Sequence, residues 1–398
     1  LLAGVAQLVV GGQYHENIHG VMCLPVFKVP AIDHNIDGSG CSCMLKFAIY
    51  MTDALCESAQ TRASINVTLI FFWSLCPMRV FSNPVGSGSL WFDNLTTAEG
   101  VPVAYDPQAR AFLPMPPFCA NRERINCNWI APEQGSFCRS CAMTALAPDA
   151  NIPDAIFNWS LTEAAKRWVL DNLGRWHWFR PEDPGTRPVF HMLAEGLTPV
   201  LMGHGNGVVT ISVAEADPVV GATRRQALAE PYRTMIGHMR HEIAHMLWWR
   251  LSLRDDFLES FRTVFGDERT NYTTELQRHY NEGAPPDWRQ HFLTTYASSH
   301  PHEDWAETAA HLLHLTDITD SFVAAGLSSR ELPSENWDPY AEPDTDRLIH
   351  IAASLSVGVN HVNRSMGLPD LYPFVLSNAV RNKLAFVHDW LRRGAQGL

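Results

Sequence analysis

The sequence predicts an α+β fold, mainly helical with a small sheet, preceded by a small module built around clustered cysteines. Three observations predict it. His241-Glu242-Ile243-Ala244-His245 lies inside an apolar stretch with helical spacing. Residues 208–213 alternate as β-branched strand behind a glycine-rich turn. Cys119, Cys127, Cys138 and Cys141 form C-x7-C-x10-C-x2-C within a turn-rich segment.

Taken in order, residues 1–77 are low in charge and lack clear periodicity. They are expected to form a poorly ordered N-terminal extension, or alternatively a small β-rich domain. The segment ends before Met78-Arg79-Val80-Phe81, which reads as a start. Residues 78–150, punctuated by Pro, Gly and Asn, are expected to be a loop-and-hairpin module carrying the cysteine cluster. Residues 151–398 form the main domain. Ser160-Leu161-Thr162-Glu163 reads as a capping box opening a helix to about 173. Gly203-His204-Gly205-Asn206-Gly207 reads as a turn into the strand. Pro231 suits a helix N1 position, and Met235, Met239, Ile243, Met246 and Leu247 recur at helical spacing, ending near Leu253. Further helices are expected over 268–280, stopped by Gly283 and Pro285-Pro286, from Pro301 to about 316, and over 379–393 at the end of a helical tail.

Composition narrows the function. The chain has 398 residues, a net charge of −12 and a pI near 5.8, which argues against a binder of nucleic-acid phosphates. The longest apolar stretch, residues 65–76, contains Asn66, Thr68 and Ser74 and is too short and polar to span a bilayer. The opening LLAGVAQLVV has no basic flank, so no secretory signal is expected. Cys23, Cys41, Cys43, Cys56 and Cys76 show no ligand pattern, and there is no cysteine after Cys141. That distribution fits a reducing, cytoplasmic setting with a structural metal on Cys119, Cys127, Cys138 and Cys141 better than a disulfide scaffold.

The chemistry centres on the pentad. Imidazoles four residues apart lie about 40° from each other around a helix, one turn apart, so both reach one metal. The intervening Glu242 projects to the side, where it can act as general base on an attacking water. Chance alone produces such a pentad in roughly a few per cent of chains this rich in His and Glu. The bland reading is a pair of core histidines bonded to carbonyls. A catalytic zinc usually takes a third protein ligand. No His follows in the HExxHxxGxxH pattern, so Glu303, 58 residues after His245, is the best candidate. Glu307, one turn deeper on the same face, would hydrogen-bond a ligating imidazole or the catalytic apparatus. Both could instead be acids complementing the helix dipole. Tyr296, just upstream, could donate to the oxyanion of a tetrahedral intermediate, although a lone Tyr is more often core. His238 lies about 10 Å along the axis from His245, too far to share its metal. His300 and His302 are competing ligands, as are His311 and His314, although these two, two to three turns beyond Glu303, better suit supporting or structural roles. The strand at 207–213 is a candidate sheet edge for pairing with an extended peptide, or a plain core strand. Asp217, Arg224, Arg225 and Arg233 read as a charged support network, and Asp267-Glu268-Arg269 as another.

These motifs resemble a family of bacterial zinc-binding metallopeptidases with an N-terminal zinc ribbon. The resemblance covers about residues 78–390. It rests on Cys127-Asn128-Trp129, Phe137-Cys138-Arg139-Ser140-Cys141, Ala214-Glu215-Ala216-Asp217, Glu230-Pro231-Tyr232-Arg233, the segment from Gly237 through His245, Phe265-Gly266-Asp267-Glu268-Arg269, Tyr296 through Pro301, Glu303 through Thr308, and Tyr372-Pro373-Phe374. More distantly, Tyr296 with Glu303-x-x-x-Glu307 is similar to the gluzincin arrangement. The resemblance implies a zincin-like core, with His241, His245 and Glu303 as zinc ligands, Glu242 as base, Tyr296 as oxyanion donor, and a protein or peptide substrate. The departure is in the ribbon. Where that family carries paired cysteines, this chain reads Phe81-Ser82-Asn83-Pro84-Val85-Gly86 and Phe92-Asp93-Asn94, so one metal knuckle is expected to be lost. A non-catalytic zinc-containing binding or regulatory module is the competing function. It would need a fourth side chain closing the metal site.

Overall fold

The computed structural model describes residues 80–398 apart from 197–199, 229–232, 335–336, 373–375 and 396–398, together with the backbone of three strands nearer the N-terminus. The chain divides into two compact units, Leu1–Cys76 and Pro77–Leu398. In the first, β1 (Val5–Val9), β2 (Phe47–Ile49) and β3 (Asn66–Phe71) form an antiparallel sheet in the order β1-β3-β2. The rest of that segment, on which the expectation of poor order falls, lies outside the described residues.

The second unit opens with two hairpins, β4 (Val80–Ser82) with β5 (Ser89–Trp91) and β6 (Val103–Asp106) with β7 (Ala111–Pro114). A short α1 (Arg122–Ile125) and β8 (Thr144–Leu146) bracket the cysteine segment. Then come the long α2 (Ala155–Gly174), β9 (Val189–Leu193), β10 (Gly203–Gly205), β11 (Val208–Ser212) and α3 (Pro218–Leu228). The remainder is helical: α4 (Met235–Leu251), α5 (Asp255–Phe265), α6 (Tyr272–Glu282), α7 (Trp288–His291), α8 (Pro301–Ala324), α9 (Thr345–Ser365) and α10 (Asn378–Arg393). This is the expected α+β, mainly helical arrangement with one small mixed sheet, ordered β10-β11-β9-β8.

Several local expectations are corrected. The helix over 160–173 begins earlier, at Ala155, so Ser160 is not a cap. Its hydroxyl donates to the carbonyl of Phe157, and that of Thr162 to Asn158, while Glu163 is buried against Thr144, Trp159 and Lys166. The pentad helix begins at Met235, with the Thr234 side chain accepting from Gly237 N, so Pro231 is not N1; it lies outside the described residues. Thr234 satisfies a backbone donor that would otherwise be orphaned at the helix start. Gly203–Gly205 is a strand rather than part of the turn. Asn206 and Gly207, both at positive φ, make the two-residue hairpin loop that such a pair favours. As a result β11 is paired on both sides, antiparallel to β10 and parallel to β9, and its Val209 and Ile211 are fully buried. It is not a sheet edge; among the described residues β10 and β8 are. The strongly amphipathic α5 and the helix α3 had no counterpart among the expected elements, and α8 runs two turns beyond 316.

The site depends on how α4 meets α8. Trp305 on α8 is fully buried, and its indole N–H donates to the Ala244 carbonyl on α4 at 2.9 Å. Phe257, Phe261 and Phe265 of α5 and Phe386 of α10 surround that indole. Farther along α8, Asp317 accepts from Arg240 of α4 at 2.5 Å and from Trp168 and Asn172 of α2 at 2.6 and 2.7 Å. One buried carboxylate therefore ties three helices together. Removing it leaves a guanidinium buried without its counter-charge, which is far costlier than the pair is stabilising. Asp317→Ala is expected to lower stability by about 3–5 kcal/mol, measured as the shift in urea unfolding; a change under 1 kcal/mol would contradict this role.

Candidate metal centre

His241 and His245 stand one turn apart on α4, and Glu303 occupies the first turn of α8. That helix starts at Pro301, with the His300 ring accepting from His302 N as its cap. The three expected side chains converge. His241 Nε2 lies 3.0 Å from Glu303 Oε2 and 3.1 Å from His245 Nε2, and His245 Nε2 lies 3.4 Å from the same Oε2. Bonds of about 2.0–2.1 Å to a tetrahedral zinc would put neighbouring ligands roughly 3.3 Å apart. The observed edges bracket that spacing, so the donor set and its size fit the ion. Two imidazole nitrogens facing one carboxylate oxygen in a site where Glu303 is almost wholly buried is otherwise an expensive arrangement.

Neighbouring groups set the orientation of two of these three side chains, His241 and Glu303. His241 Nδ1 donates to Glu307 Oε1 at 2.7 Å, which leaves Nε2 free to offer a lone pair. Glu307 Oε2 accepts from Thr294 Oγ1 at 2.8 Å, and Thr294 Oγ1 in turn accepts from Ala297 N in the 3-10 turn Tyr296–Ser298. Glu303 Oε1 accepts from the Tyr272 hydroxyl at 2.8 Å, so only Oε2 faces the imidazoles. The Tyr296 ring lies 6.1 Å from that of His241. Burial, and next the charge of Glu303, push the Tyr296 phenol well above its ordinary range and keep it a donor. Tyr272 is a hydrogen-bonding neighbour of Tyr296 and is raised by the same two causes.

Glu242 lies beside the trio. Its Oε1 is bonded to His238 Nε2 at 3.1 Å, and its Oε2 is buried with no partner. Burial opposes its ionisation, but the hydrogen bond and charge of His238, then the charges of His241 and His245, hold it below the usual carboxylate range. His238 is therefore no metal ligand, as its axial offset requires. On the sheet side His204 of β10 stacks parallel to His245, with ring centroids 6.5 Å apart. Burial, then His245, hold His204 at about 4, and its Nε2 accepts from Gly207 N. His311 and His314 serve packing: they bond Tyr372 and Arg240. His302 packs on Trp248 and His300 bonds the Thr270 carbonyl, so neither joins the trio. Of the charged groups, Arg224 and Arg233 converge on Glu215, a motif residue to which the sequence assigned no role, while Asp217 caps the start of α3. Asp267 pairs with Arg269, and Glu268 with Arg262.

A second cluster forms at the cysteines. Cys119, Cys127, Cys138 and Cys141 are buried free thiols, and their sulfurs lie within 4.8 Å of one another. Cys127 Sγ stands 3.6 Å from both Cys138 and Cys141, far beyond a disulfide bond of about 2.05 Å. Zinc–sulfur bonds of about 2.3 Å imply sulfur–sulfur edges of roughly 3.8 Å. Backbone amides of Cys138 and Cys141 point at Cys119 Sγ and Cys138 Sγ. The buried Arg167 of α2 has two guanidinium nitrogens without a hydrogen-bond partner and feels the charge of Cys127 and Cys141. The carboxylates of Asp93 and Glu163 act on the same cation, so its charge is shared between the sulfurs and two acids.

Residues 155–390, more than half of the chain, match the family described as "Putative zinc-binding metallo-peptidase", and the chain belongs to that family. The matched span holds both helices of the histidine–glutamate site and none of the four clustered cysteines. Two relatives are the uncharacterized protein Rv2568c of Mycobacterium tuberculosis and the uncharacterized protein Mb2598c of Mycobacterium bovis. Each is 38% identical over 277 residues, covering 68% of this chain and 81% of the relative. No solved structure matches the chain at a significant level. Among the described residues no helix is long and apolar enough to cross a membrane.

Glu307 bonds His241 without reaching the other two ligand atoms. Its replacement in Glu307→Ala should weaken metal retention by about 10–100-fold, read by competition with a fluorescent zinc chelator. Retention equal to wild type would remove the orienting role.

Proposed function

We propose that the chain hydrolyses peptide bonds with a zinc held by His241, His245 and Glu303. The observation that carries this reading is the meeting of those three ligand atoms at tetrahedral spacing beside a carboxylate with one unpartnered oxygen. Zinc, when bound, supplies Lewis acidity that polarises a scissile carbonyl and makes water easier to deprotonate. Glu242 takes the proton of the attacking water through Oε2 and returns it to the leaving amine. Its depressed pKa suits the first of these steps, because the carboxylate is already ionised at neutral pH. Tyr296, kept protonated by burial, donates to the oxygen on which negative charge develops. Glu307 holds the His241 tautomer.

An extended peptide is the substrate that suits this surface. Of the two edge strands, β10 and β8, it is β10 whose His204 neighbours His245, so β10 rather than the internal β11 is the strand for pairing. The cysteine cluster serves as a structural zinc site in a degenerate zinc-ribbon-like module over 78–150, ahead of a zincin-like, gluzincin-type domain over 151–398. Four buried free thiols favour a reducing, cytoplasmic setting. A purely binding role would call for a fourth side-chain ligand, and the described group has three members, His241, His245 and Glu303.

Metal analysis joined to cleavage of a proteome-derived peptide library tests the reading. Wild type should carry two zinc equivalents and cleave. Glu242→Gln should keep both and lose at least about 100-fold in rate. His245→Ala should keep only the cysteine-bound ion, and Cys127→Ser only the other. Cleavage by Glu242→Gln at the wild-type rate, or a zinc-loaded wild type that cleaves nothing, would overturn it.

A further inference from the structure

Glu242 is held from behind by a line of buried polar groups that the pentad itself does not contain. His238 lies four residues earlier on the same face of α4, and its Nε2 bonds Glu242 Oε1 at 3.1 Å. The other ring nitrogen, Nδ1, bonds Glu215 Oε2 at 2.7 Å. Glu215 comes from the 3-10 turn Val213–Ala216 that follows β11, so the contact joins the sheet to the catalytic helix. Its remaining oxygen, Oε1, accepts from Arg224 Nη1 at 3.0 Å and Arg233 Nη2 at 3.1 Å. Arg224 also grips both oxygens of Glu195 at 2.7 Å, and Glu195 accepts from Ser212 Oγ at 2.7 Å.

A histidine kept only for packing needs one carbonyl or water as partner. Here both nitrogens of a buried ring face carboxylates from different elements, which costs desolvation of two acids. The effect falls on Glu242. Its side chain has three rotatable bonds, and a hydrogen bond to Oε1 stops rotation of the carboxylate. Oε2 is then the one oxygen left without a partner in a buried position beside His241 and His245. We propose that His238 and Glu215 are positioning residues that lock the Glu242 carboxylate, with Oε1 anchored and Oε2 presented to the reacting water. This inference rests on Glu242 being the general base. His238 touches neither metal nor substrate, and Glu215 acts on Glu242 only through His238.

The experiment uses the zinc-loaded full chain in His238→Ala, His238→Gln and Glu215→Gln forms. Each is expected to keep zinc stoichiometry and KM for the peptide library while kcat falls about 10–100-fold. His238→Gln, whose amide can still donate to Oε1, should recover part of the loss. In a Glu242→Gln background, removing His238 should cause no further loss, because there is no carboxylate left to aim. A readout independent of activity is the crystal structure of zinc-loaded His238→Ala, or of Glu215→Gln if the alanine form does not fold. Glu242 should there take more than one carboxylate orientation. Wild-type kcat with a singly oriented Glu242 would overturn the positioning role and leave the base assignment standing. Full activity in Glu242→Gln would instead defeat the base assignment, and the positioning proposal with it.

Discussion

Everything at the candidate metal centre depends on the packing of α4 against α8. The imidazoles of His241 and His245 belong to one helix and the carboxylate of Glu303 to another, 62 residues from His241. A displacement of one helix by a single ångström would take the ligand edges out of tetrahedral range. Two contacts of different character prevent it. The Trp305 indole fixes the separation by filling an aromatic pocket and bonding an α4 carbonyl. Asp317 fixes the register by collecting donors from α4 and α2. Polar contacts of this kind add specificity of position where apolar packing alone would tolerate sliding.

Around that junction the buried polar groups fall into two lines that meet at the pentad. One runs from Thr294 through Glu307 to His241 and orients a ligand. The other runs from Arg224 and Arg233 through Glu215 and His238 to Glu242 and orients a carboxylate that is not a ligand. The first arises from the turn before α8, the second from the end of the sheet. The sheet thus does more than cover the helices: it supplies both a strand edge near His204 and the support for Glu242. In this arrangement His241 and Glu303 are each held by a hydrogen bond with another element, and Glu242 by His238 of its own helix, itself bonded to Glu215 of the turn after the sheet.

The two candidate zinc clusters differ in donor set and burial. One consists of four buried sulfurs, with backbone amides directed at two of them and Arg167 nearby. Three N and O donors, of which the two imidazoles are only partly buried, leave one tetrahedral position open. Membership of a zinc-binding metallopeptidase family and the matched span over α2 to α10 agree with placing the chemistry at the second of these.

Much of this could be read along the chain, because the relevant signals are local. Two His and one Glu at helical spacing, a Pro-led helix bearing Glu303 and Glu307, and a C-x2-C end to the cysteine run are patterns set by residues a turn or a loop apart. The mainly helical α+β class follows from the same periodicities. Other features were beyond sequence. Ser160 looks like a cap, yet it donates within a helix that starts earlier, where Ala155, Asn158 and Trp159 ahead of it are already helical and buried. Residues 208–212 look like an edge, yet two strands that precede them in sequence, β10 and β9, pair with them on either side. The contacts of Tyr272 with Glu303 and of Glu215 with His238 join residues 31 and 23 positions apart, where no period links them. Sequence alone brought out the groups proposed to carry the chemistry, because helical geometry fixes neighbours within a turn. Only tertiary structure decided which of their atoms converge and which groups hold them there, because those distances depend on how separate elements pack.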